Sequence, residues 1–190
     1  MLRIITLLFS ITLLTCSGAG TIPPIQSSWA ESTLKKLSLR EKIAQMMVYR
    51  MNMKFLNYES DEWKEIEELI ETDGIGILHI WFGEAGSALT LLNKMQKESK
   101  IPMLVEADIE SGLGRRYGGA VTIPPMMAIA ATGNPEYAYE AGRISAIESR
   151  AVGIHFNLAP VVDLSNNNKS FIAKKRALLI KGCQKNYSSF

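Results

Sequence analysis

Residues 74–81 (GIGILHIW) and 101–107 (IPMLVEA) are almost wholly apolar, and the stretch between them repeats its apolar residues at helical spacing. A strand with one face in water alternates apolar and polar side chains, so a strand without alternation is buried on both faces. Two such strands joined by a helix over residues 85–100, with Ala88, Leu92 and Met95 turned inward, form a βαβ unit. That unit commits the chain to a parallel sheet covered by helices, an α/β fold.

The alternation of helix and strand extends to both sides. Ser38-Leu39-Arg40-Glu41 has the form of a capping box and predicts a helix start, followed by a short apolar run at 45–51. Residues 60–72 predict a helix with Trp63, Ile66 and Ile70 on one face and Gly74 just past its end. Asn134 caps and Pro135 opens another helix, with Ala138, Ala141, Ile144, Ile147 and Ala151 expected inward and Gly153 ending it. Residues 154–163 (IHFNLAPVVD) are the last strand-like piece. Periodicity does not separate a closed barrel from an open doubly wound sheet, but in both the ligand meets the C-terminal ends of the strands.

The chain of 190 residues has room for one domain. Arg3 precedes an apolar run at 4–14 that is too short to span a bilayer, so residues 1–16 read as a signal peptide or lipoprotein leader. Cys16 stands where a lipid would be attached, and 17–27, rich in small residues and proline, read as a flexible spacer. The expected location is accordingly secreted, periplasmic or in the outer envelope of a bacterium, with membrane contact only through a lipid on Cys16. Cys183 is the other cysteine, which leaves no disulfide framework once the leader is removed. The net charge of +2 hides an asymmetry: all 19 acids precede residue 169, while six of the 21 basic residues lie from Lys169 onward. The basic end lacks the aromatic interleaving or zinc spacing of nucleic-acid binding, so no nucleic-acid partner is expected.

The chemistry concentrates at 105–119, VEADIESGLGRRYGG, where the second apolar strand runs into Asp108, Glu110, glycines and Arg115-Arg116. Carboxylates near a buried strand end need a cation or several donors beside them. A carboxylate and a guanidinium on a glycine-rich loop suit a polyhydroxyl ligand, one accepting from adjacent hydroxyls and the other donating. The same residues also suit a structural ion pair bracing a tight loop. A dinucleotide fingerprint is excluded, since Tyr117 stands where its third glycine belongs. No spacing of His, Cys and carboxylates suggests a metal site, and no cofactor is expected. His79 and His155 read as satisfied core or rim residues, and Met46, Met47, Met126 and Met127 as core filling.

The segments LSLREKIAQMM (37–47), GIGILHI (74–80), IPMLVEADIESGLGRRY (101–117) and 122–164 resemble, in order and spacing, the N-terminal domain of glycoside hydrolase family 3, particularly its bacterial β-N-acetylhexosaminidase branch. The resemblance covers roughly residues 30–177. It implies a (β/α)8 TIM barrel, of which this chain supplies roughly the N-terminal half, and hydrolysis of terminal β-linked N-acetylglucosamine or glucose with retention. It assigns substrate binding to Asp108 and Arg116, the first and last residues of the family's D-x-E-G-G-x-x-x-R pattern, with Ser111 replacing the first glycine. It assigns the same role to Arg176, thirteen residues after Asp163.

Beyond Ala177 the resemblance stops. Residues 28–177 are thus expected to be an incomplete domain and 178–190 an aberrant basic tail. The family places its nucleophilic Asp on a late strand and its proton donor on a loop, so no catalytic residue is assigned here and the polypeptide is expected to be inactive alone. The alternative is a non-catalytic carbohydrate-binding protein. In both readings the partner is a β-linked glycan or a peptidoglycan-derived sugar.

Overall fold

The computed structural model describes residues 28–162. The leader, the spacer, Cys16, Asp163, Arg176, Cys183 and the basic tail named above all lie outside these residues. The chain divides into two compact units, the first ending at Lys36 and the second beginning at Leu37. Helix α1 (Ser28–Lys36) belongs to the first and buries none of its residues.

The second unit opens with α2 (Leu39–Ala44), whose N-cap Ser38 completes the expected capping box with Glu41. Strand β1 (Val48–Met53), helix α3 (Asp61–Glu68), a π-helical turn (Leu69–Asp73) and β2 (Ile77–Glu84) follow. Ser60 caps α3, its hydroxyl accepting from the Trp63 amide at 3.2 Å, and Gly74 ends the π turn in the left-handed conformation at φ 71°. Helix α4 (Ala85–Glu98) then leads to β3 (Leu104–Ala107), as the apolar spacing predicts. A 3-10 turn (Leu113–Arg115), β4 (Tyr117–Gly118), α5 (Met126–Ala131), α6 (Pro135–Ala151) and β5 (Phe156–Asn157) complete the described chain.

The sheet is parallel at every pairing and runs in the order β1-β2-β3-β5, with β4 added beside the end of β2. Sequential parallel strands with helical crossovers are the construction of a TIM barrel, and this chain forms an open section of one. The core lies between the sheet and helices α3 and α4: Trp63, Ile66, Ile70, Leu78, Ile80, Met95 and Val105 are each buried to 1% exposure or less. Side chains alternate across a strand, so the same register places Arg50, His79 and Glu106 in one row on the opposite face. Gly83 is required where β2 passes β1, since a Cβ there would overlap the Met53 carbonyl.

Four expectations are corrected. Burial on both faces holds for the middle of β2, but β1 alternates and Leu104 in β3 is 42% exposed. Met46 and Met47 are 79% and 55% exposed rather than core filling, because α2 stops at Ala44 and both methionines form the turn into β1. Ile147 and Ala151 face outward, since α6 rests on the small residues Ala141, Ser145 and Ser149. Lastly, α5 and β4 form within a stretch where the periodicity predicts no element.

Candidate functional site

The loop that leaves β3 is built from both sides of the sequence. Asn157 on β5 clamps its backbone, the side-chain oxygen accepting from the Ile109 amide at 2.9 Å and the carboxamide N–H donating to the Ile109 carbonyl at 3.4 Å. The clamp fixes the backbone between Asp108 and Glu110. The chain then folds back on itself: Ile123 donates to the Ser111 carbonyl and Gly114 to the Val121 carbonyl, both at 2.8 Å. Gly112 adopts φ 76° with the Val121 carbonyl against it, a conformation and an approach that a Cβ would obstruct. The Val121 amide donates to the Glu148 carboxylate at 3.0 and 3.1 Å, which anchors the loop to α6.

The third anchor decides where Arg116 lies. Tyr117 and Gly118 pair with Gly83 and Glu84 as β4, and the Gly83 amide donates to the Arg116 carbonyl at 3.1 Å. Arg116 is thereby laid along the end of β2, with its guanidinium 4.0 Å from the centre of the Trp81 ring and 4.9 Å from that of Phe82. Its Nε donates to the Asp108 carbonyl at 3.2 Å, while Nη2 stands 3.7 Å from the Asp108 carboxylate. The second distance marks an ion pair rather than a good hydrogen bond. The side chains retain 12% and 27% exposure, so the pair is sheltered without being sealed.

Asp108 and Arg116 line one cavity of about 620 Å³ together with Phe82, Glu110, Arg115 and Thr122. The structure therefore brings together two of the three residues expected to bind ligand, and it opens both to a space large enough for a monosaccharide. On the sheet face opposite the core, His79 Nδ1 lies 3.2 Å from a Glu106 oxygen, both side chains being nearly buried. His155 Nδ1 accepts from the Val105 amide at 3.0 Å. Both histidines thus hold the positions expected of satisfied core or rim residues. Burial pushes the Tyr117 phenol well above its ordinary pKa, with the neighbouring Arg116 charge opposing, and its hydroxyl has no hydrogen-bond partner among the described residues. Among the described residues no group of three or more His, Cys, Asp and Glu could hold a metal ion.

Sequence reasoning missed Trp81, Phe82 and Asn157. Trp81 and Phe82 end an apolar strand and read as core. Asn157, a lone carboxamide in an apolar run, gives a signal of its own, since a polar group there needs a partner.

The model of the glycosyl hydrolase family 3 N-terminal domain matches residues 38–176, more than two thirds of the chain. The chain belongs to glycosyl hydrolase family 3. A beta-N-acetylglucosaminidase/beta-glucosidase of Cellulomonas fimi is 26% identical over 152 residues, 78% of this chain and 25% of that protein. A beta-hexosaminidase of Thiobacillus denitrificans (strain ATCC 25259 / T1) is 36% identical over 81 residues, 39% of this chain and 23% of that protein. Among solved structures, a beta-glucoside phosphorylase BglX bound to 2FGlc is similar with a TM-score of 0.62 and 25% identity, covering 74% of this chain and 24% of that one. This family 3 chain therefore spans about a quarter of the length of the curated relatives it matches. The match runs through β1 to β5 and includes the whole cavity wall from Asp108 to Arg116.

Proposed function

We propose that residues 101–123 form the sugar-binding floor of a retaining glycoside hydrolase acting on terminal β-linked N-acetylglucosamine or glucose. One observation carries this reading: Asp108 and Arg116, the two ends of the family's sugar-binding pattern, share one open cavity at the C-terminal rim of the sheet. In that place the Asp108 carboxylate accepts from vicinal hydroxyls, and the Arg116 N–H groups donate to the same ring. Charged partners make such hydrogen bonds about twice as strong as neutral ones.

A retaining mechanism needs a nucleophilic carboxylate and an acid/base about 5 Å apart across the scissile bond. The family resemblance puts both on later segments of the barrel, and Asp108 is assigned to binding. Residues 1–190 by themselves accordingly bind the sugar without cleaving its glycoside. The proposed setting is the bacterial envelope, in keeping with the leader-like residues 1–16.

Calorimetric titration of the 190-residue protein with N-acetylglucosamine and with glucose tests the reading, alongside p-nitrophenyl β-N-acetylglucosaminide as a reporter of cleavage. Saturable binding without p-nitrophenol release is expected. Absence of binding to either sugar overturns the sugar-floor reading, and steady release of p-nitrophenol overturns the division of binding from cleavage.

A further inference from the structure

Trp81 carries two positive charges against one ring. The Arg116 guanidinium lies 4.0 Å from its centroid and that of Arg50 lies 4.8 Å away. Phe82 stands edge-on to Trp81, with ring centres 5.4 Å apart at 83°, and the Arg116 guanidinium is 4.9 Å from its ring. The two rings form a corner, and Arg116 sits in it. Polar contacts do little to fix this side chain. Among the described residues its one hydrogen bond is from Nε to the Asp108 carbonyl at 3.2 Å, and the Asp108 carboxylate is 3.7 Å from Nη2.

We propose that Trp81 is the positioning residue of the cavity: its indole, backed by Phe82, sets the plane of the Arg116 guanidinium and leaves the terminal N–H groups for the ligand. The inference rests on the sugar-floor reading and adds to it the element that pre-orders its cation. A guanidinium stacked on a ring is held by its face, so its five in-plane donors are not consumed by the holding contact. An arginine fixed by a close carboxylate would instead spend two donors on the fork and present fewer to a sugar. The loose 3.7 Å separation from Asp108 and the close aromatic contact are the arrangement that keeps both polar partners available at once. Arg50 on the same ring and the Glu106–His79 pair in the adjoining row extend the polar layer along the same face of the sheet. Trp81 therefore joins the sheet's polar face to the cavity wall.

Two measurements test this. The first uses no sugar. Removing a cation from beside an indole changes the field at the ring, so Arg116→Met shifts the tryptophan emission of the wild-type protein, and the shift vanishes when the same substitution is made in Trp81→Phe. The second is titration with N-acetylglucosamine: Trp81→Phe keeps the affinity within about threefold, and Trp81→Leu loses about tenfold or more, with urea midpoints recorded for both. Emission that is indifferent to Arg116, or Trp81→Leu binding as tightly as wild type, overturns the positioning role alone. If Trp81→Leu is too unstable to titrate, the emission cycle and the Trp81→Phe affinity decide. Failure of the wild-type protein to bind either sugar overturns the sugar floor and the ligand role of the stack together, with the emission cycle still reading the contact itself.

Discussion

Asp108 and Arg116 are eight residues apart and lie 3.7 Å from one another at the closest carboxylate–guanidinium approach. The charge cluster was legible because its members are close in sequence and follow a strand whose burial is itself legible. Asp108→Asn keeps the shape and removes the charge proposed to accept from sugar hydroxyls. Its affinity for N-acetylglucosamine should fall at least tenfold by calorimetry, as expected on loss of one charged hydrogen bond worth about 1.5–3 kcal/mol. Tyr117 makes a different prediction. Its phenol is buried and its pKa is raised above the ordinary value, so the folded state keeps the proton that the unfolded state gives up near pH 10. The stability this residue contributes is complete below about pH 10 and declines above it. Tyr117→Phe also removes a hydroxyl with no partner among the described residues, so it should unfold in urea at the same midpoint or a higher one at pH 7. Its midpoint should also fall less steeply than that of the wild type between pH 10 and 11.

The elements that could be read ahead of the structure are those whose signals are local. The capping box at Ser38, the Ser60 start, the Gly74 stop and the Asn134-Pro135 opening all depend on contacts within one turn, and all formed. Removing one such contact has a local and calculable effect. Ser60→Ala loses the hydrogen bond to the Trp63 amide at 3.2 Å and should cost about 1 kcal/mol in chemical denaturation, without changing sugar affinity. Strand β4 is two residues long and exists because Gly83 and Glu84 accept it as a neighbour, which no window around Tyr117 contains. The inward face of α6 was misread for a related reason. Its apolar residues outnumber the positions that meet α5 and the loop after β3, and small residues at Ala141, Ser145 and Ser149 decided which side could approach.

At the scale of the molecule, the sheet order among the described residues begins at β1 and ends at β5. The ends of that order carry apolar side chains in water: Val48 is 49% exposed and Phe156 50%. Unpaired strand edges with apolar side chains are templates for further strands. The apparent mass of the purified 190-residue protein by static light scattering should therefore rise with concentration, and Val48→Lys combined with Phe156→Lys should lower it. Equal scattering from both proteins would place the association elsewhere. The α/β class and parallel sheet were legible because the apolar runs leave no alternative packing. The degree of burial was not, because it depends on how many strands surround each one.

The Asn157 carboxamide reaches back to Ile109, 48 residues earlier. On a ribosome, the segment bearing Asp108 and Arg116 leaves the exit tunnel well before the group that shapes its backbone. A nascent chain at that stage carries both charged side chains on an unfastened loop. Strand β5 therefore acts as a latch, and the proposed grip on a sugar should arise abruptly once it docks rather than accumulate as the floor is synthesised.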